Sequence, residues 1–312
     1  MIRTVTPNPA VDVTYAVPHL NHGEVHRVQQ VTDSAGGKGV NVARVLAGLG
    51  REVSCSGFLA GVMGEHLQDL LDADQVEQAW TLVAGETRRT VTIVDDDGVQ
   101  GATLFNEPGP TVTARDWDRL TRAVLAGLDG AGVLVISGST PPGTSDGDLP
   151  ALVRAAVGRG IPVIVDTSGP ALLAVAAEEP VVLKPNVDEV REATGIDDPI
   201  AAARDLIDRG AGAVLVSCGS QGVLLVTADG AWRARPPEVI TGNATGAGDA
   251  AVAALAMAVA DGARGADLAA HLPAVVALSA AAVLMPTAGA ADHDAYDRMR
   301  PTIQTETIDA PR

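Results

Sequence analysis

Short runs of consecutive apolar residues alternate with segments of helical period through most of the chain. Val53 to Phe58, Val133 to Ser137, Val163 to Asp166, Val181 to Leu183 and Val214 to Ser217 are rich in β-branched residues and too short for helices. Apolar positions three and four apart mark Val40 to Leu49, Asp148 to Val157, Asp188 to Thr194 and Ile200 to Arg209 as helices. Strands with no polar alternation are buried on both faces, as in a parallel sheet covered by its crossover helices. The pattern predicts an α/β fold: a doubly wound, mostly parallel sheet sandwiched by helices, with right-handed crossovers, in a single domain over residues 1–312.

Two regions break this rhythm. Residues 12–31 and 87–105 alternate apolar and polar positions, and Asp95-Asp96-Asp97-Gly98 supplies a turn inside the second. Alternation of this kind suits antiparallel strands with one wet face, so both regions are expected in a small projecting β-sheet, a lid or a contact between two copies. The polar tail after Arg300 is expected to be loosely held.

Composition narrows the function. Hydrophobic residues make up 46% of the 312 positions but aromatics only 2%, so the core is built from Ala, Val, Leu and Ile, and few platforms exist for stacking bases. A net charge of −17 repels nucleic acid and anionic membrane. The apolar runs Ala250 to Ala260 and Val275 to Met285 fall short of the roughly 20 residues that span a bilayer. Cys55 and Cys218 form no disulfide framework or zinc spacing, and Met1-Ile2-Arg3-Thr4-Val5 opens no signal-like apolar region; a reducing cytoplasm is expected. Arginine supplies all basic side chains except Lys38 and Lys184. Against such a bias, each surviving lysine marks a segment to inspect.

Four segments carry chemistry. Gly36-Gly37-Lys38-Gly39-Val40-Asn41 places glycines before a helix, where free N–H groups and the positive helix end can face an anion. It is neither a Walker A loop nor a dinucleotide fingerprint, which argues against a nicotinamide dehydrogenase. Thr245-Gly246-Ala247-Gly248-Asp249 repeats the arrangement with a carboxylate beside the anion hole; Asp249 reads either as helix cap or as proton acceptor. Lys184-Pro185-Asn186-Val187-Asp188-Glu189 ends a strand in the second lysine, and Asn186 with Glu189 reads as a capping box, as a water-mediated Mg²⁺ site, or as both. Ser217-Cys218-Gly219-Ser220-Gln221-Gly222 is a glycine-rich turn between two β runs.

In this order, the four segments resemble the ribokinase-like sugar kinases of the phosphofructokinase B group. GGKGVNVARVL and NATGAGDA look like that family's two signatures, and the likeness runs from Thr6-Pro7-Asn8-Pro9-Ala10-Val11-Asp12 to the last apolar helix. Ser137 to Gly143, Asn106 to Pro110 and Glu86-Thr87-Arg88 resemble the phosphosugar branch, closest to its 1-phosphofructokinases. The branch usually reads Thr-Arg-x-Asn-Val-Lys where this chain has Thr87-Arg88-Arg89-Thr90-Val91-Thr92, which leaves the preferred sugar open.

The resemblance implies transfer of a phosphoryl group from ATP to a phosphosugar, fructose 1-phosphate first, with 6-phosphofructokinase and tagatose-6-phosphate kinase as neighbours and a non-catalytic binding protein as the alternative class. It implies Asp249 as base, with backbone N–H groups around Gly246, Ala247 and Gly248 on the γ-phosphate. Lys38, Arg88, Ser139 and, as a further cation, Arg27 would hold the sugar phosphate; Asp12, Gly37 and Asn41 would contact the sugar. ATP would lie along Lys184, Asn186, Glu189, Ser217, Gly219, Gly222 and Thr245, with Mg²⁺ held through water by Asn186 and Glu189. A homodimer through the lid sheet is implied as well.

Overall fold

The computed structural model describes residues 1–28, 30–95 and 102–309. The chain begins with β1 (Ile2–Thr6) and leaves the main sheet at once for the lid strands β2 (Ala10–Val17) and β3 (Gln30–Gly36). It returns through α1 (Lys38–Gly48), β4 (Val53–Leu59), α2 (Gly61–Ala73) and β5 (Glu77–Leu82), then visits the lid again as β6 (Arg88–Asp95) and β7 (Thr103–Asn106). A regular alternation follows: α3 (Ala114–Ala126), β8 (Val133–Ser137), α4 (Asp148–Val157), β9 (Val163–Asp166), α5 (Pro170–Ala176), β10 (Val181–Leu183), α6 (Val187–Thr194), α7 (Pro199–Asp208) and β11 (Ala213–Ser217). The chain closes with β12 (Val223–Thr227), β13 (Gly230–Ala234), α8 (Ala247–Ala260), α9 (Leu272–Val283), α10 (His293–Met299) and β14 (Thr305–Asp309).

The main sheet has ten strands in the order β14-β13-β12-β11-β10-β9-β8-β1-β4-β5. From β5 to β11 every pairing is parallel. Alternate residues of one strand feed opposite cores: Val133 and Val135 pack on the side of α1, α8 and α9, whereas Leu134 and Ile136 pack on the side of α3, α4, α5 and α7. Covering helices on both faces explain why these strands read as unbroken apolar runs.

The run Val214 to Ser217 leads into the expected glycine-rich turn, a single 3₁₀ turn at Gly219–Gln221. It turns back into β12 and β13, which extend the sheet antiparallel. The tail departs from expectation, because Thr305–Asp309 pairs with β13 as the edge strand. Its polar composition is that of a strand with an open edge, and buried Ile303 anchors its approach. The segment Gly265–Val283 is long and apolar enough to cross a bilayer by length and composition. Here it is a 3₁₀ turn leading into α9, whose Leu272, Val275, Val276 and Leu278 are buried in the core.

The lid is a four-stranded sheet in the order β3-β2-β6-β7. It draws on both regions picked out by alternation, with two corrections. The second strand of the first region is Gln30–Gly36, running past the expected end at residue 31, so a glycine before α1 ends a lid strand. The central pair β2 and β6 is parallel, not antiparallel, because the two lid excursions leave the main sheet in the same direction. The expected turn beyond Asp95 lies outside the described residues.

Candidate active site

Parallel strands open their ligand crevice at their carboxyl ends, and there the marked segments meet. Gly37 (φ 105°) and Gly246 (φ 85°) hold backbone conformations that side chains resist, and each precedes the first turn of a helix. The turns aim the unpaired N–H groups of α1 and α8 at the crevice.

Asp249 stands in the first turn of α8, three residues after the cap position, which Gly246 occupies. The cap reading is therefore not what its carboxylate does. It is 7% exposed, and its Oδ2 accepts a hydrogen bond of 2.8 Å from Nδ2 of Asn41 in α1. Burial, then the Asp166 carboxylate, push its pKa up to about 7, against the lowering influence of the Asn41 bond and both lysines. Oδ1 of Asn41 is buried with no partner.

Beside this pair lies a charge cluster centred on Asp166, the last residue of β9. Its Oδ1 is 3.2 Å from Nζ of Lys38 and 3.6 Å from Nζ of Lys184; its Oδ2 accepts from the Ser137 hydroxyl at 3.1 Å. Lys38 Nζ also lies 3.5 Å from Oε1 of Glu189. Burial works against the Lys38 charge, but Asp166 and Glu189 outweigh it and raise its pKa. Both lysines of the chain thus share one carboxylate. Lys184 also underlies the α8 turn, since a Cβ on Gly248 would sit 3.5 Å from its Nζ.

Asn186 and Glu189 form a complete capping box on α6: each backbone N–H donates to the other's side chain at 2.8 Å. No cluster of three or more metal-ligating side chains exists among the described residues. One carboxylate with an amide nearby nevertheless fits Mg²⁺, which keeps several waters and takes most of its charge from phosphates. The glycine-rich turn lies alongside, because Ser217 N–H donates to Pro185 O at 3.0 Å. Gly219 is exposed, while Gly222 packs onto the end of β13. Thr245 is exposed, and its N–H donates to Oδ1 of Asn243 at 3.0 Å.

On the lid, Ala10 pairs with Arg88 and Asp12 with Thr90, so Asp12 and Arg88 share a face. Burial raises the Asp12 pKa to about 6, opposed by Thr90, Arg88 and Arg44. Arg88 Nε donates to Asn8 O at 3.1 Å, and Asn8 Nδ2 donates to Pro108 O at 3.1 Å. Ser139 is exposed in the loop after β8, which Gly138 N–H fastens to Asp166 O at 2.9 Å. Arg27 lies in the exposed segment between β2 and β3, and none of the described contacts joins it to Lys38, Arg88 or Ser139.

Residues 8–294 match the model of the pfkB family carbohydrate kinases. The chain belongs to the pfkB family. It is 39% identical over 256 residues to a 1-phosphofructokinase of Haloferax volcanii, covering 80% of this chain and 81% of that one. It is 34% identical over 264 residues to a tagatose-6-phosphate kinase of Staphylococcus epidermidis, covering 82% and 84%. Its fold is ribokinase-like: phosphofructokinase-2 of Escherichia coli superposes with a TM-score of 0.89 at 31% identity, over 96% of this chain and 98% of that one.

In this pfkB-family kinase, sequence reasoning passed over Asp166. Its signal was a polar residue ending the apolar run Val163 to Asp166, at the strand end that faces ligands. Nothing local to it reveals that its partners are lysines from two distant segments.

Proposed function

We propose that this chain transfers the γ-phosphoryl group of ATP to the free primary hydroxyl of fructose 1-phosphate, giving fructose 1,6-bisphosphate. The observation that carries the reading is Asp249. It is a buried carboxylate at a glycine-turned helix start, held by Asn41, whose own Oδ1 still lacks a donor. A buried acceptor without a partner calls for one, and a sugar hydroxyl supplies it.

Asp12 and Asn41 orient the sugar, and Lys38, Arg88 and Ser139 face its phosphate. Arg27, exposed between β2 and β3, is a further cation for that phosphate. ATP lies along Lys184, Asn186, Glu189 and the Ser217–Gly222 turn, with Thr245 at the mouth of the α8 turn. Asn186 and Glu189 would hold Mg²⁺ through water, and the ion would supply neutralisation of phosphate charge. The hydroxyl oxygen bonds to the γ-phosphorus as the bond from that phosphorus to the β–γ bridging oxygen breaks, and ADP leaves with the electron pair. Asp249 takes the hydroxyl proton, and the N–H groups of Gly248 and Asp249 face the charge on the transferring oxygens, the Ala247 N–H being spent on Ala244 O at 3.3 Å.

Tagatose 6-phosphate is the second reading, favoured by the Staphylococcus relative's name. A coupled ADP-release assay across fructose 1-phosphate, fructose 6-phosphate, tagatose 6-phosphate and free sugars separates them. Turnover fastest with a free sugar would overturn both. Exposed Val31, Leu104 and Phe105 on the lid support a homodimer through that sheet, and the free thiols Cys55 and Cys218 support a cytoplasmic setting.

A further inference from the structure

Arg44 belongs to α1 but takes no part in the Asp166 cluster. Its side chain is 15% exposed, and its Nε pairs with the carboxylate of Asp74, just past the end of α2. Its Nη1 donates to two backbone carbonyls, Ala288 O at 3.0 Å and Ala35 O at 3.3 Å. Ala35 lies at the end of β3, two residues before Gly37, the cap of α1. Ala288 lies in the segment after α9, and there it supports the other glycine turn: a Cβ on Gly246 would fall 2.8 Å from the Ala288 methyl. Asn243 fastens the same turn to this segment, its N–H to Val283 O and its side chain to Pro286 O, both at 2.9 Å. Gly289 leaves the space the guanidinium fills, since a Cβ there would lie 2.6 Å from Nη1.

One guanidinium is therefore bonded behind both glycine turns. Ahead of one turn stand Lys38 and Asn41; ahead of the other stands Asp249. We propose that Arg44 is a positioning residue that sets the spacing between these two turns, and so couples the end of lid strand β3 to the phosphoryl-facing start of α8. The inference rests on the kinase reading above. The planar fork of Arg44 reaches a carboxylate through Nε and two carbonyls through Nη1, whereas a lysine gathers its donors on one nitrogen at a shorter reach. The Asp74 pair by itself is a single ion pair with its carboxylate partly in solvent, worth little.

The experiment compares Arg44→Lys, Arg44→Ala with and without methylguanidinium, and Asp74→Ala, reading kcat, both KM values and amide exchange over residues 242–249. The expected result is a kcat loss on the order of ten- to a hundred-fold in Arg44→Lys, with both KM values within about threefold, because a small misplacement of reacting groups costs that much. Exchange over 242–249 quickens, methylguanidinium restores part of the Arg44→Ala turnover, and Asp74→Ala stays near wild type. Wild-type kcat in Arg44→Lys with only a lower melting temperature, or unchanged exchange over 242–249, overturns the proposal. Should Arg44→Ala not fold, Arg44→Lys decides. Absence of phosphosugar turnover in the wild-type protein would instead defeat the kinase reading, and the exchange measurement then judges Arg44 alone.

Discussion

Asn41 Nδ2 lies 2.8 Å from Asp249 Oδ2, joining the helices that follow the two glycine turns. The bond favours the charged carboxylate, so Asn41→Ala raises the Asp249 pKa further. The acid limb of the kcat/KM profile for the phosphosugar, expected near pH 7 from the ligand-free value of about 7, moves upward in this variant. A limb that stays in place would show that Asn41 does not tune the base.

Asp249→Asn keeps ATP binding but loses roughly 10²–10⁴-fold in turnover, the usual contribution of a positioned base. Its stability carries a second signature. Burial raises Asp249 to about 7 and Asp12 to about 6, so between about pH 4 and pH 7 the folded chain binds more protons than the unfolded one. These groups therefore take stability away as pH rises through that window. The asparagine variant escapes the Asp249 share, and its melting temperature should exceed that of wild type at pH 8 and approach it at pH 5. A difference that is the same at both pH values would refute the buried-charge account.

Lys38 and Asp166 act on Asp249 with opposite sign. Lys38→Met removes a charge that lowers its pKa and moves the acid limb up; Asp166→Asn removes one that raises it and moves the limb down. Asp166→Asn also leaves Lys184, 3% exposed, without its carboxylate, at a cost of about 3–5 kcal/mol in denaturant unfolding. Shifts in the same direction would break this ordering.

The strand and helix pattern was legible because strands such as Val133–Ser137 and Val163–Asp166 are buried on both faces and need no tertiary information to be recognised. Asp249 and Lys184 were legible from their neighbours in sequence. The parallel pairing of β2 with β6 and the docking of Thr305–Asp309 were not, because pairing direction and edge position depend on where distant segments arrive. Asp166 and Arg44 escaped for the same reason: each draws its meaning from partners brought by other elements.

Arg88→Ala is expected to raise the phosphosugar KM much more than the ATP KM. Arg88 sits at the start of β6, held by Asn8 O on the face that carries Asp12. Equal changes in both constants would remove it from the sugar-phosphate side.

Leu104→Asp with Phe105→Asp should convert a dimer to a monomer in light scattering, since both side chains lie exposed on lid strand β7. A wild-type protein that already runs as a monomer would end the lid-dimer proposal.

The concentration of every ε-amine of the molecule around Asp166 makes amine chemistry a cleft-directed tool. Lys184 is almost sealed, whereas the Lys38 side chain is 40% exposed. An acylating reagent or lysine-reactive tether would find no other lysine in this sequence to label. Coupling to a surface through lysine would seize the protein by its own catalytic cleft, and attachment through another functional group would leave that cleft open.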